Sequence, residues 1–170
     1  MSDKIYKDIA LSIDGIGIAI YSKGCMKNVE EGADFFKSEF AVPAKVAEHI
    51  RKGDITGFCT GSDGDFILKI REGYPDKALE AEYPVEIRLG LEVRDNTVSF
   101  IDIYWLMEWN TEIPEEQQIN IEDGFYHLTL LTKLPDEGYW GADQTIYIFF
   151  NRLETMPELA WKGVPQLYTE

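Results

Sequence analysis

Only two cysteines, Cys25 and Cys59, occur among 170 residues. Two thiols do not make the disulfide framework of a small secreted scaffold, and neither stands in a metal-type spacing. The opening "MSDKIYKDIALSIDG" has no apolar stretch of signal-peptide length behind a basic segment. No apolar run approaches the about 20 residues of a membrane-spanning helix. A cytoplasmic, reducing compartment is the simplest expectation. Histidine is as scarce, with His49 and His127 alone, and no Gly-x-Ser-x-Gly elbow frames any of the serines. No base stands beside a serine or cysteine to activate it, so a nucleophilic enzyme has no visible catalytic set.

Positive charge is also in short supply. Sixteen Lys and Arg face 31 Asp and Glu, for a net charge of −15. Residues 1–53 hold eight of each sign, so residues 54–170 carry the whole excess, eight bases against 23 acids. From Asp102 to Asp143 ten acids meet one base, Lys133. A field of this sign repels nucleic acid and anionic membrane and attracts cationic partners, although it also serves plain solubility. Disorder is not expected, because 45% of the residues are hydrophobic and 13% aromatic. The length fits one domain.

What is present is mostly period two. "IALSIDGIGIAIY" alternates Ile9, Leu11, Ile13 and then Ile16, Ile18, Ile20. Asp14-Gly15 between the runs suits a two-residue hairpin turn. "PVEIRLGLEVR" turns Val85, Ile87, Leu89, Leu91 and Val93 one way, as a half-buried strand does. Its expected hairpin partner is "VSFIDIYWLMEW", joined by a three-residue loop, Asp95-Asn96-Thr97. That register pairs Leu91 with Ile101 and Ile87 with Trp105, whereas a two-residue turn would place Asp102 on the core face. Further strands read as Ile55–Thr60, Asp65–Arg71, Gln118–Ile121, Phe125–Thr132 and Thr145–Leu153. "TIYIFF" in the last is apolar on both faces and is expected to be central. One helix is clear, "PAKVAEHIRKG", about residues 43–52, with Pro43 early and Gly53 as the stop. "EDGFY" matches the tyrosine corner of β-sandwiches, in which the hydroxyl bonds back to nearby backbone. The expected fold is a mostly antiparallel β-sandwich with one main α-helix.

Several stretches imitate chemical motifs. "GFCTGSDGDFILKI" invites a calcium loop, but with Gly64 at position six, Cys59 and Gly61 occupy two acid positions and Ile70 replaces the final glutamate. It reads as a hairpin turn over Gly61-Ser62-Asp63-Gly64. "DGIGIAI" lacks the third glycine of a dinucleotide fingerprint, since Ile20 stands there. Cys59, between Phe58 and Thr60, reads as a small hydrophobe. Asp102 and Glu108 on one strand would lie roughly 20 Å apart, whereas a glycosidase pair lies within roughly 5–10 Å.

The expected binding feature is a surface. In the chosen register Phe100, Asp102, Tyr104, Leu106 and Glu108 face outward beside Arg88, which falls opposite Tyr104. The face is either covered by the helix or a loop, or is an acid-rimmed aromatic patch attractive to a basic protein. Trp140 in "DEGYWGAD" extends it, and such aromatics also suit a carbohydrate. Trp161 and Leu167 in "MPELAWKGVPQLYTE" are expected to dock the tail.

The run "INIEDGFYHLTLLTKLPDEG", an acidic turn followed by Gly-x-Tyr-x-Leu in a strand, resembles the later half of competence-protein-J-type nuclease inhibitors. More loosely, it is similar to small acidic bacterial immunity proteins. The resemblance implies a cytoplasmic inhibitor that masks a basic nuclease or toxin. The leading expectation is therefore a non-enzymatic acidic protein that needs no cofactor or metal and binds a basic protein, not nucleic acid or membrane. The alternatives are a carbohydrate or small-ligand module stacking on Tyr104, Trp109 or Trp140, and an enzyme or metal site assembled from dispersed carboxylates.

Overall fold

Among the described residues, alternating apolar positions fold into nine strands in two sheets, with two α-helices. The structure is a computed structural model that describes residues 5–169. Residues 1–4, the start of the stretch read above for a leader, lie outside the described residues, as does Glu170. The strands are β1 (Tyr6–Ile13), β2 (Gly17–Tyr21), β3 (Ile55–Cys59), β4 (Gly64–Glu72), β5 (Val85–Val93), β6 (Thr97–Asp102), β7 (Gln118–Asn120), β8 (Gly124–Thr132) and β9 (Gln144–Leu153). The helices are α1 (Pro43–Lys52) and α2 (Lys77–Glu82).

One sheet runs β1-β4-β9-β8-β5 and the other β3-β2-β6-β7. Every pairing is antiparallel except β4 with β9. The fold is thus mostly β, as the periodicity implies, and β9 with its doubly apolar "TIYIFF" lies third of five. Isoleucine, leucine and phenylalanine from both sheets form one buried cluster. Phe100 of β6 meets Phe150 of β9 edge-on across it, with ring centroids 6.4 Å apart.

Three turns expected to close hairpins instead carry the chain from one sheet to the other. β1 pairs with β4, not β2, so Asp14-Gly15 is a crossing. β3 and β4 lie in different sheets, and the Gly61–Gly64 turn crosses as well, with φ of 82° and 135° at its two glycines. β5 pairs with β8 while β6 pairs with β2 and β7, so Leu91 faces Tyr126 and not Ile101. The physical reason is that a tight turn fixes a change of direction but not the neighbour. Pairing goes to the strand whose apolar face completes the burial, and each face here is completed by a strand distant in sequence.

The local signals of α1 are borne out. Pro43 opens it, and Gly53 closes it at φ 85°, donating its N–H to the His49 carbonyl at 2.7 Å. The tyrosine corner is present: the Tyr126 hydroxyl donates to the Glu122 carbonyl at 2.7 Å. The tail docks as expected. Leu167 is buried and its N–H donates to the Cys59 carbonyl at 2.9 Å, while the Trp161 indole donates to the Arg88 carbonyl at 2.7 Å.

Candidate protein-binding surface

β6 ends at a buried carboxylate. Asp102 is 4% exposed, and a bare carboxylate there would be costly. Its oxygens instead accept the N–H groups of Asp14 at 2.8 Å, Gly15 at 3.2 Å and Tyr104 at 3.0 Å. The bond from Tyr104 caps a 3₁₀ turn over Ile103–Met107. From this point the period changes from two to three, which reverses the expected faces. Leu106 turns into the core, while Tyr104, Trp105 and Met107 stand out at 46%, 38% and 44% exposure.

A second segment is tied to the end of this turn. Gly32 donates to the Trp109 carbonyl at 2.7 Å, Trp109 donates to the Ala33 carbonyl at 2.8 Å, and Thr111 donates to the Glu31 carboxylate at 2.9 Å. Trp109 is itself buried between Tyr21 and Phe35, with ring centroids 5.1 and 5.5 Å away. These bonds set the segment holding Glu30, Glu31 and Asp34 against the one holding Glu108 and Glu112, all five exposed, and Glu115 and Glu116 follow along the chain, exposed as well. The result is an acidic edge beside three exposed apolar side chains.

Next to it lies an apolar groove of about 390 Å³. In the β2–β3 register Gly17 faces Cys59 and Ala19 faces Gly57, so small residues line that stretch of the pair. Phe36, Phe40, Ile103 and Tyr104 also line the groove, and Ile16 and Val164 stand exposed on it. Gly57 is required there, because a Cβ would lie 2.8 Å from the Phe40 ring.

No family model matches the chain, and no curated protein matches it. Solved structures do. The chain shares the fold of ComJ. The crystal structure of ComJ from Bacillus subtilis, described as an inhibitor of the DNA-degrading activity of NucA, is similar at a TM-score of 0.55. That match covers 89% of this chain and all of ComJ, at 16% identity. A protein described as crocagin biosynthetic gene J gives 0.53, covering 87% of this chain and 98% of that one at 11% identity. Such identities speak for the fold alone. The resemblance to nuclease inhibitors of the ComJ type, carried in the sequence by the acidic turn and Gly-x-Tyr-x-Leu, is matched by this likeness.

The structure disperses the expected binding face. Phe100 and Leu106 are fully buried and Asp102 nearly so, because β6 is covered on both sides and its strand geometry stops at Asp102. Arg88 lies on the other sheet, 3.6 Å from Glu86 and over the Tyr74 ring, and not opposite Tyr104. Trp140 is half-buried, edge-on to Tyr168. Tyr104 and Glu108 alone of the seven belong to the acidic edge and its apolar turn. Reading the sequence as a continuous strand put Trp105 and Met107 in the core and missed both. The signal that could have found them is Asp102 itself, an N-cap residue two positions before Tyr104.

Both histidines have structural partners. His49 Nδ1 lies 2.9 Å from Asp54 and Nε2 3.4 Å from Glu39, and the ring packs on Phe35 and Phe40. The hydrogen bond to Asp54 holds the imidazole above its ordinary pKa against the opposing effect of burial. Burial pushes the Asp54 carboxyl up, but the bond and charge of His49, the Lys52 charge and the Ile55 N–H together leave it below the ordinary value. His127 Nδ1 meets the Tyr74 hydroxyl at 2.9 Å. Burial and the nearby Arg88 depress its pKa. Burial, then Glu92, pushes the Cys25 thiol up to about 11, which leaves little nucleophilic thiolate. Among the described residues no three His, Cys, Asp or Glu side chains gather as a metal site.

Proposed function

We propose that this protein is a non-enzymatic inhibitor that captures a cationic protein, of the nuclease or toxin class, on the acidic edge beside Tyr104, Trp105 and Met107. One observation carries the reading. Two acidic segments distant in sequence, 30–34 and 108–116, are tied by backbone bonds next to exposed aromatic side chains. Protein interfaces of this kind combine an apolar centre with a polar rim, and charge complementarity speeds and orients the encounter. A nuclease surface that binds DNA phosphates is itself cationic, so an acidic surface complements it. ComJ, with the same fold, is described as an inhibitor of a DNA-degrading protein, which supports the partner class.

The stacking module is the weaker reading, because Trp109 is buried and Trp140 is half-covered. The test is affinity capture from the host lysate at low and then high salt, followed by a DNA-degradation assay on what is retained. A basic protein released by salt, whose activity falls when this chain is added back, supports the proposal. Retention that ignores salt, or activity that ignores the chain, refutes it.

A further inference from the structure

The acidic edge answers a partner's charges but leaves the neighbouring groove without a role. None of the residues lining that groove of about 390 Å³ is charged, and most are apolar. Its concavity follows from small residues: Gly17 and Gly57 face Cys59 and Ala19 across the β2–β3 register. The aromatic rings of Phe36, Phe40 and Tyr104 supply apolar surface to it. The Ile103–Met107 turn belongs to both features. Ile103 and Tyr104 line the groove, while Trp105 and Met107 stand exposed in the same turn and lead directly to Glu108.

Binding energy at protein interfaces concentrates where a large side chain fills a desolvated pocket, ringed by contacts that exclude water. We infer that the groove seats one large apolar side chain of the cationic partner, carried on a segment whose lysines or arginines meet the acidic edge that begins at Glu108. This deepens the proposed function and rests on it. The charge of the rim selects the partner's chemistry, because an apolar side chain flanked by cations matches both features at once, whereas an acidic or neutral segment matches only the groove.

The test uses two end-capped peptides, Lys-Lys-Trp-Lys-Lys and Lys-Lys-Ala-Lys-Lys, titrated into the full chain and followed by amide and methyl NMR shifts. The tryptophan peptide is expected to bind roughly tenfold tighter, the worth of burying part of an aromatic side chain. Its shifts should include Ile16, Val46, Ile103 and Val164. Ile16→Glu places a carboxylate at a position that is 55% exposed, so the fold tolerates it. Charge alone would make that variant bind both peptides slightly more tightly. The groove predicts instead that the tryptophan preference collapses, and Val164→Glu should repeat the effect. Equal binding of the two peptides, unchanged in both variants, overturns the groove and leaves the acidic edge standing. Failure of both peptides to bind overturns the groove and the proposed function together.

Discussion

Replacing Asp102 by alanine should destabilise the protein more than any loss of a surface acid. The carboxylate accepts three backbone N–H groups, from Asp14, Gly15 and Tyr104, and is 4% exposed. The site closes tightly around it, since a Cβ on Gly15 would lie 2.7 Å from its oxygen and 2.8 Å from Ile103. Alanine leaves the buried Gly15 amide unpaired, and a buried orphan donor costs about 1–3 kcal/mol. The Asp14 and Tyr104 amides are partly exposed and recover some hydration, so each adds less. The sum is about 2–4 kcal/mol, with Asp102→Asn at about half because one carbonyl oxygen remains to accept. Urea unfolding at neutral pH reads this directly, with the slope unchanged and the midpoint lowered in the order wild type, Asn, Ala. For a chain of this size the alanine variant should melt roughly 5–15 °C lower. Hydrogen exchange at Asp14, Gly15 and Tyr104 should accelerate in step. An alanine variant within about 0.5 kcal/mol of wild type, the usual range of a surface change, would refute the claim that this carboxylate joins the β1–β2 crossing to the turn that presents Trp105.

Gly53→Ala should cost about 1 kcal/mol or more in thermal unfolding, because φ is 85° and the new methyl would meet Met156 at 2.5 Å. Tyr126→Phe removes the corner bond to Glu122 and should lower stability by about 0.5–1.5 kcal/mol in urea. The His49–Asp54 pair should give a bell in stability against pH. The raised His49 pKa contributes stability that is complete below about pH 6.5 and is lost as pH rises through the folded value. The depressed Asp54 pKa contributes stability present above about pH 3.9 and lost as pH falls through its folded value. The gap between wild type and His49→Gln should therefore be widest between these limits and shrink on the alkaline side, and a gap independent of pH would contradict it.

Local physics was legible in the sequence, and long-range choice was not. Pro43 and Gly53 bound α1 because a capping residue acts within its own turn, and Tyr126 bonds four residues back for the same reason. Strand positions β3, β4, β5, β8 and β9 follow from apolar runs bounded by turn residues, with clean alternation in β5. The crossings at Asp14-Gly15, Gly61–Gly64 and Asp95-Asn96-Thr97 read as hairpins because the same turn residues serve both, and the last reads as a three-residue loop. Asp95 and Asn96 do take φ of 60° and 55°, the geometry of a two-residue turn, yet β5 and β6 part into separate sheets. The binding face suffered from one local error with a long reach. A bare carboxylate is too costly for the interior, but three amides converge on Asp102, and the change there from strand to 3₁₀ turn buries Leu106 and exposes Trp105 and Met107. The pairing of 30–34 with 108–116 depends on backbone bonds across about eighty residues, which no periodicity encodes.

The most direct test of the acidic edge is a charge reversal, Glu112→Lys with Glu115→Lys and Glu116→Lys, compared with wild type as bait in the same capture experiment. All three side chains are exposed, so the variant should keep its melting temperature to within the small range of surface changes. The account predicts that the basic protein held by wild type at low salt is absent from the variant. The same protein retained equally by both baits would contradict it.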